Sequence, residues 1–310
     1  MDTKIRSQNI LWFKMFPNGR FGNSIFQFIF AKYAESVLQC ELIFGETSEL
    51  ALHGIGYLLS IGNQDAKFSL LNGKTIYQTL FIGEQRTLGP NPDLNKIKQH
   101  FRDYPNTVLV IDGYFQYDTK FFMGDDLYSR LFHEYISPHS DNKRTNFQSA
   151  VAAYIDQLDH ISDGYLVGAH IRRGDYVDHH KDGNLPYFYT IDLDKCTYLI
   201  KEYLALNRIR KPIVYIASDD IDHCNAFFHA NGLNSVTRKY FTNTLVIDEI
   251  NEMPIDMAVL IKSQVLICSN SSFSIICSLL NRQARTFLRP KLNGDFVSFD
   301  PGNTTILYGL

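Results

Sequence analysis

The second half of the chain repeats one pattern. A short apolar run stops at small, polar or charged residues, and a helical pattern precedes the next run. Residues 165–171 run into Arg172-Arg173-Gly174-Asp175, residues 213–217 into Ser218-Asp219-Asp220, and residues 265–268 into Ser269-Asn270-Ser271-Ser272. Helical spacing covers 193–205, the stretch ending near Ala230, 256–262 and 272–280. Strands that alternate with helices through short turns predict a parallel, doubly wound sheet. In such sheets ligands sit beyond the carboxyl ends of the strands. The three polar clusters are therefore the first places to look for chemistry.

The first half opens the same way. An apolar strand at 10–13 leads through Pro17-Asn18-Gly19-Arg20-Phe21-Gly22-Asn23 into a helix over 24–38. A strand at 108–111 ends at Asp112-Gly113, mixed helical character covers 120–132, and a helix is expected over 145–158. Residues 44–105 fit both helical and irregular readings. The turn formers at 137–142 make the best linker. A chain of 310 residues is longer than one core usually spans. The reading is two α/β domains, 1–140 and 141–310, with a cleft between them.

Composition removes several alternatives. A net charge of −3, with no long Lys or Arg run, lacks the basic stripe that nucleic acid binding needs. Five widely spaced cysteines with no C-x-x-C argue against structural zinc and a disulfide framework, and fit a reducing cytoplasm. Neither a signal peptide nor an apolar run of spanning length is visible in the sequence. The Asn270 and Asn303 glycosylation patterns carry no meaning in a cytoplasmic protein.

Each cluster has a bland and a functional reading. In His170-Ile171-Arg172-Arg173-Gly174-Asp175, strand alternation sends His170 and Arg172 to one side. Two Arg beside Gly form a clamp for a pyrophosphate, because guanidinium forks bond phosphate bidentately and stay charged. The plain alternative is a surface pair between Arg173 and Asp175. Ser271 and Ser272 either cap the following helix or leave its amino end open to a phosphate. Asp219 and Asp220 either cap the next helix or hold a metal beside a diphosphate. Gly19 and Gly22 allow a tight turn or a close backbone approach to a ligand.

Taken together and in order, these segments resemble the bacterial α-1,2-fucosyltransferase family (glycosyltransferase family 11) and, more distantly, the protein O-fucosyltransferases. The resembling stretches are GRFGNSIFQFIFAKYAE at 19–35, IDGYFQYDTKFF at 111–122, GAHIRRGDYV at 168–177, VYIASDD at 214–220 and DMAVLIKSQVLICSNSSFS at 256–274. The resemblance implies a GT-B-like fold of two Rossmann-like domains with parallel sheets facing across a cleft. The acceptor would lie mainly on the amino-terminal domain and the nucleotide sugar on the carboxyl-terminal one.

The resemblance also implies an inverting transfer of L-fucose from GDP-fucose to a glycan hydroxyl, with no metal and no cofactor beyond the donor. The product would be a bacterial surface polysaccharide, made in the cytoplasm. Peripheral contact with the inner face of a membrane and the oligomeric state stay open. Carried over residue by residue, Arg172 binds the diphosphate and stabilises its leaving charge, with Arg173 beside it. His170 supports that loop or touches the nucleotide. Ser271, Ser272 and Phe273 match the turn that cradles the β-phosphate. Asp219 lies in the turn beside it. Asp256 matches an acidic position facing the base, the alternative being a cap on a helix after Pro254. Asn23 matches an Asn near sugar and acceptor. Asp175, Asp112 and Glu35 are candidate bases by chemistry alone. Where relatives usually carry two Trp after S-F-S, this chain has Ile275 and Ile276, and Ala217 replaces a bulkier residue. Two rivals remain: a transferase of the same fold using GDP-mannose or a UDP-hexose, and a non-catalytic nucleotide- or carbohydrate-binding protein.

Overall fold

The computed structural model describes residues 9–14, 21–44, 75–78, 94–112, 118–140, 146–161, 164–181, 189–242 and 252–305. The chain divides into two compact units, Met1–Gln148 and Ser149–Leu310.

In the first unit four strands, β1 (Ile10–Lys14), β2 (Glu41–Phe44), β3 (Thr75–Gln78) and β4 (Thr107–Asp112), form a parallel sheet in the order β2-β1-β4-β3. Helix α1 (Phe21–Leu38) connects β1 to the β2 edge, and its apolar residues Ile25, Phe28, Ile29 and Ala31 are buried. It starts three residues before the sequence suggests, so Phe21, Gly22 and Asn23 belong to its first turn rather than to a loop. Pro17 to Arg20 of that motif lie outside the described residues. Within 44–105, β3 and α2 (Leu94–Asp103) emerge.

The mixed stretch at 120–132 is two helices, α3 (Thr119–Gly124) and α4 (Asp126–Ile136). Asp125 separates them. Its carboxylate caps α4 by accepting from Tyr128 N at 2.9 Å and also accepts from Tyr33 Oη on α1 at 3.0 Å. Helix α5 (Asn146–Ile161) holds the division between units inside its first turn. Phe147 packs on Phe21 with ring centroids 4.9 Å apart, and Gln148 Nε2 donates to the carbonyls of Glu134 and Ser137.

The second unit is built on six strands: β5 (Tyr165–Ile171), β6 (Pro212–Ser218), β7 (Ser235–Val236), β8 (Val265–Ile267), β9 (Thr286–Pro290) and β10 (Phe296–Ser298). Their order is β10-β9-β8-β5-β6-β7, and every pair is parallel except β9 with β10. Strand alternation splits the side chains cleanly. Val167, Ala169, Ile171, Val214, Ile216, Val265 and Ile267 join α7 (Leu193–Leu206) and α8 (Ile221–Ala230) in one apolar core. The opposite face packs α10 (Glu252–Lys262) against β5. There a Cβ on Gly168 would lie 2.3 Å from Ser263 Oγ and 3.0 Å from a Leu260 methyl, so any larger residue forces a neighbour to shift. Helix α11 (Ser272–Leu280) is buried along most of its length, and Ile275 and Ile276 are fully enclosed.

Short elements of the second unit escape the sequence reading, namely α6 (Gly174–Lys181), β7, α9 (Arg238–Thr242) and the β9–β10 hairpin. No described helix is long and apolar enough to cross a membrane.

Candidate active site

The central strands β8, β5 and β6 are neighbours, and their carboxyl ends deliver three polar turns side by side. Ser269 stitches the first two. Its hydroxyl accepts from Arg172 N and donates to His170 O, both at 2.7 Å, and its own N–H donates to His170 O at 3.0 Å. Ser218 stitches the third by donating to Ile171 O at 2.7 Å and accepting from Asp220 N at 3.0 Å. Backbone at a strand end lacks ladder partners, and short hydroxyl side chains supply them.

Arg172 is 8% exposed. Its Nη2 bonds Asp175 Oδ1 at 2.6 Å, its Nη1 bonds Asp219 Oδ2 at 2.5 Å, and the guanidinium carbon lies 5.3 Å from the Tyr176 ring centroid. Arg173 Nε pairs with Asp220 Oδ2 at 3.1 Å. In place of the alternative Arg173–Asp175 pair the structure has Arg172–Asp175 and Arg173–Asp220. Helix α6 starts immediately after Arg173 and turns Asp175 back onto Arg172, one helical turn away.

Neither Asp219 nor Asp220 caps the helix that follows them. Asp220 sits at the N-cap position of α8 without a side-chain capping bond. Asp219 caps the other helix, α6: its Oδ1 accepts from Arg173 N at 2.8 Å and Gly174 N at 3.2 Å. Both carboxylates serve as counter-ions to the arginine pair. No cluster of three or more His, Cys, Asp or Glu able to hold a metal occurs among the described residues.

His170 is buried, bonds Ser274 Oγ through Nδ1 at 2.6 Å, and lies 5.1 Å from the Phe273 ring. Burial pulls its pKa from 6.5 down to about 4, with the nearby Asp219 charge opposing, so the ring is neutral near pH 7. Ser271 takes the extended N-cap conformation of α11, yet its hydroxyl makes no capping bond. The capping alternative for Ser271 therefore fails. Asn270, one of the apparent glycosylation acceptors, is wholly enclosed.

Asp256 does not cap its helix either. Helix α10 begins at Glu252, with Pro254 in its first turn, where a missing N–H costs nothing. The Asp256 carboxylate accepts from Tyr215 Oη and faces Arg238 Nη1 at 3.7 Å. Asn23 is half-buried in α1 of the first unit. Glu35 pairs with Lys32 at 2.9 Å on the same helix, and the side chain of Asp112 lies outside the described residues.

The structure thus gathers His170, Arg172, Arg173, Asp175, Asp219 and Phe273 around the adjoining strand ends. It adds partners that sequence reasoning left without roles. Tyr176 Oη donates to Asn270 O at 2.9 Å. Ser269 joins the loops, and Arg289 on β9 donates through Nη2 to Asn270 Oδ1 at 2.8 Å. The available sequence signal for Arg289 was a charge inside the otherwise uncharged strand Thr286–Pro290. Chemically, the arrangement sets two arginines, each paired with carboxylates, beside the amino end of α11 at one end of a sheet.

A model of glycosyl transferase family 11 matches residues 86–298, a span that holds every candidate of the second unit but not Asn23. No curated protein matches the chain. Solved structures share its fold. The NodZ α-1,6-fucosyltransferase soaked with GDP-fucose aligns with TM-score 0.52 at 14% identity, covering 94% of this chain and 99% of that one. POFUT1 in complex with GDP aligns with TM-score 0.51 at 14% identity, covering 92% of this chain and 98% of its own.

Proposed function

Because the chain belongs to glycosyl transferase family 11, we propose that it moves L-fucose from GDP-fucose to a hydroxyl of a glycan acceptor. The finer reading is an inverting transfer to O-2 of a galactose-type residue, on the cytoplasmic side, during surface polysaccharide synthesis. The observation that carries the reading is the placement of Arg172 at the end of β5, bonded through its own N–H to the turn that opens α11.

In this reading the β-phosphate of the donor meets the Arg172 fork and the amino end of α11 at Ser271, Ser272 and Phe273. As the glycosidic bond breaks, charge collects on the leaving diphosphate. Donors already fixed in place stabilise that charge without reorganising. Asp175 and Asp219 hold the guanidinium while it waits, and the diphosphate replaces part of that pairing. Neutral His170, locked between Ser274 and Phe273, supports the loop without adding charge. The donor itself needs no metal or further cofactor for this step. Asn23 is assigned to the acceptor side.

Base selection falls to Asp256. A carboxylate has about four lone-pair sites; that of Asp256 accepts from Tyr215 Oη and faces Arg238 Nη1. The N1 and exocyclic amine of guanine donate to such a group, whereas uracil lacks that edge. A ligand at about 100 times its dissociation constant stabilises a protein by about 2.7 kcal/mol. Melting temperatures of wild type and Asp256→Ala with GDP, UDP and ADP test the reading. The expected result is a clear GDP shift in wild type that shrinks in the variant, with little shift from UDP. Equal shifts with GDP and UDP would remove the GDP-sugar reading and leave the broader glycosyltransferase one.

A further inference from the structure

Arg289 presents an anomaly. It is 2% exposed, yet its partners among the described residues include no carboxylate. Nη1 donates to Thr304 Oγ1 at 2.9 Å and Thr305 O at 2.7 Å, and Nη2 donates to Asn270 Oδ1 at 2.8 Å. Nε is buried without a hydrogen-bond partner. The guanidinium carbon lies 5.5 Å from the Phe299 ring centroid. Burial lowers its pKa from the usual value, but arginine keeps its proton in proteins. A buried charge without an opposite charge is costly, and proteins seldom keep one for packing alone.

The charge count at the strand ends shows where this cation is useful. Arg172 and Arg173 carry two positive charges against three negative ones on Asp175, Asp219 and Asp220. Those five groups alone are net negative, an unfavourable host for a diphosphate. Arg289 brings the sum to neutral from behind the Ser269–Ser272 turn. Its fork also holds the Asn270 side chain, while the Asn270 carbonyl accepts from Tyr176, whose ring underlies Arg172. One chain of contacts therefore runs from Arg289 through Asn270 and Tyr176 to Arg172.

We propose that Arg289 is a positioning residue for the donor site: it fixes the Ser269–Ser272 turn through Asn270 and lends that turn the positive charge its own acidic surroundings cancel. The inference rests on the donor-site reading above. Its ligand class is the diphosphate of the nucleotide, not the base or the sugar.

The test measures GDP and guanosine binding by calorimetry for wild type, Arg289→Met, Arg289→Gln, Arg289→Lys and Arg172→Ala. Loss should follow charge. Met and Gln should weaken GDP binding about tenfold, the scale expected for one nearby charge in a partly screened site. Guanosine affinity should stay unchanged in both, and Lys should retain GDP affinity within about threefold. A merely structural role would lower both ligands together, or neither. If Met fails to fold, Gln, which keeps amide donors for Asn270, decides the matter. GDP affinity at the wild-type level in Gln, alongside loss in Arg172→Ala, overturns the proposal and leaves the donor site standing. Unchanged GDP affinity in Arg172→Ala itself overturns the donor-site reading instead.

Discussion

Replacing Asp219 tests the network from a side that involves no substrate. This carboxylate caps α6 through two backbone N–H groups and pairs with a guanidinium whose side chain is 10% exposed. Losing a helix cap costs about 0.5–2 kcal/mol. Losing one partner of a fully buried ion pair costs about 3–5 kcal/mol. Here the ion-pair loss is smaller, because Arg172 keeps Asp175 and the Asp219 side chain is 24% exposed. A charge-assisted hydrogen bond of about 1.5–3 kcal/mol is the better scale for it.

Asp219→Ala should therefore destabilise by about 2–4 kcal/mol, near the lower end of the combined ranges. Asp219→Asn retains an acceptor for the α6 amides and should lose only about half as much. At about 2–4 °C per kcal/mol for a unit of this size, Ala should lower Tm by roughly 4–16 °C. Scanning calorimetry at pH 7 measures the difference, and hydrogen exchange reports on the first-turn amides of α6. Those amides should exchange faster in Ala than in Asn. Equal melting of Ala and Asn, with unchanged α6 exchange, would refute the capping role. An Ala variant melting like wild type would refute the network altogether.

Three further outcomes are expected. Arg172→Ala should cut transfer about 10²- to 10³-fold while circular dichroism stays native, with a smaller loss for Arg173→Ala; wild-type turnover in Arg172→Ala rules out its role. The lowered pKa of His170, about 4 against 6.5 unfolded, means that the unfolded chain binds the extra proton between those values. Its contribution is complete above about pH 6.5 and declines as pH falls towards 4, by up to roughly 3 kcal/mol. Tm scans from pH 7 to 4 should show a flatter acid limb in His170→Gln, and identical limbs would exclude it. Transfer should persist in EDTA, because Asp219 and Asp220 are committed to arginines and backbone; loss in EDTA with recovery on manganese would reassign that turn.

What the sequence made legible were elements whose cause is local. Strand β5 and helix α11 match the apolar pattern residue for residue, because each is bounded by polar residues and buried through most of its length. Helix α6 stayed hidden because its start depends on Asp219, which lies 45 residues away from Gly174 in sequence. The same helix decides the ion pairs: Arg173 beside Asp175 offers a neighbouring pair in sequence, but α6 carries Asp175 to Arg172. For Asp256 the alternative of a cap after Pro254 fell away because the helix starts earlier, at Glu252, and the carboxylate meets Tyr215 from another strand. Arg289 gives no motif at all. Its importance appears only once β9 is seen to bring it behind Asn270.

Among the described residues the second sheet ends on very short strands. Strand β7 contributes two residues and β10 three, and β10 runs opposite to β9. An outer strand exposes unpaired amides and carbonyls that can recruit another chain. Two or three residues offer too few rungs for a stable intermolecular ladder. The central β5–β6 pair, seven residues in register, is sealed between neighbours. The strands with the greatest capacity for self-association are thus those that partial fraying exposes last. This unit should resist aggregation under conditions that loosen its margins, and become vulnerable only when β5 and β6 separate.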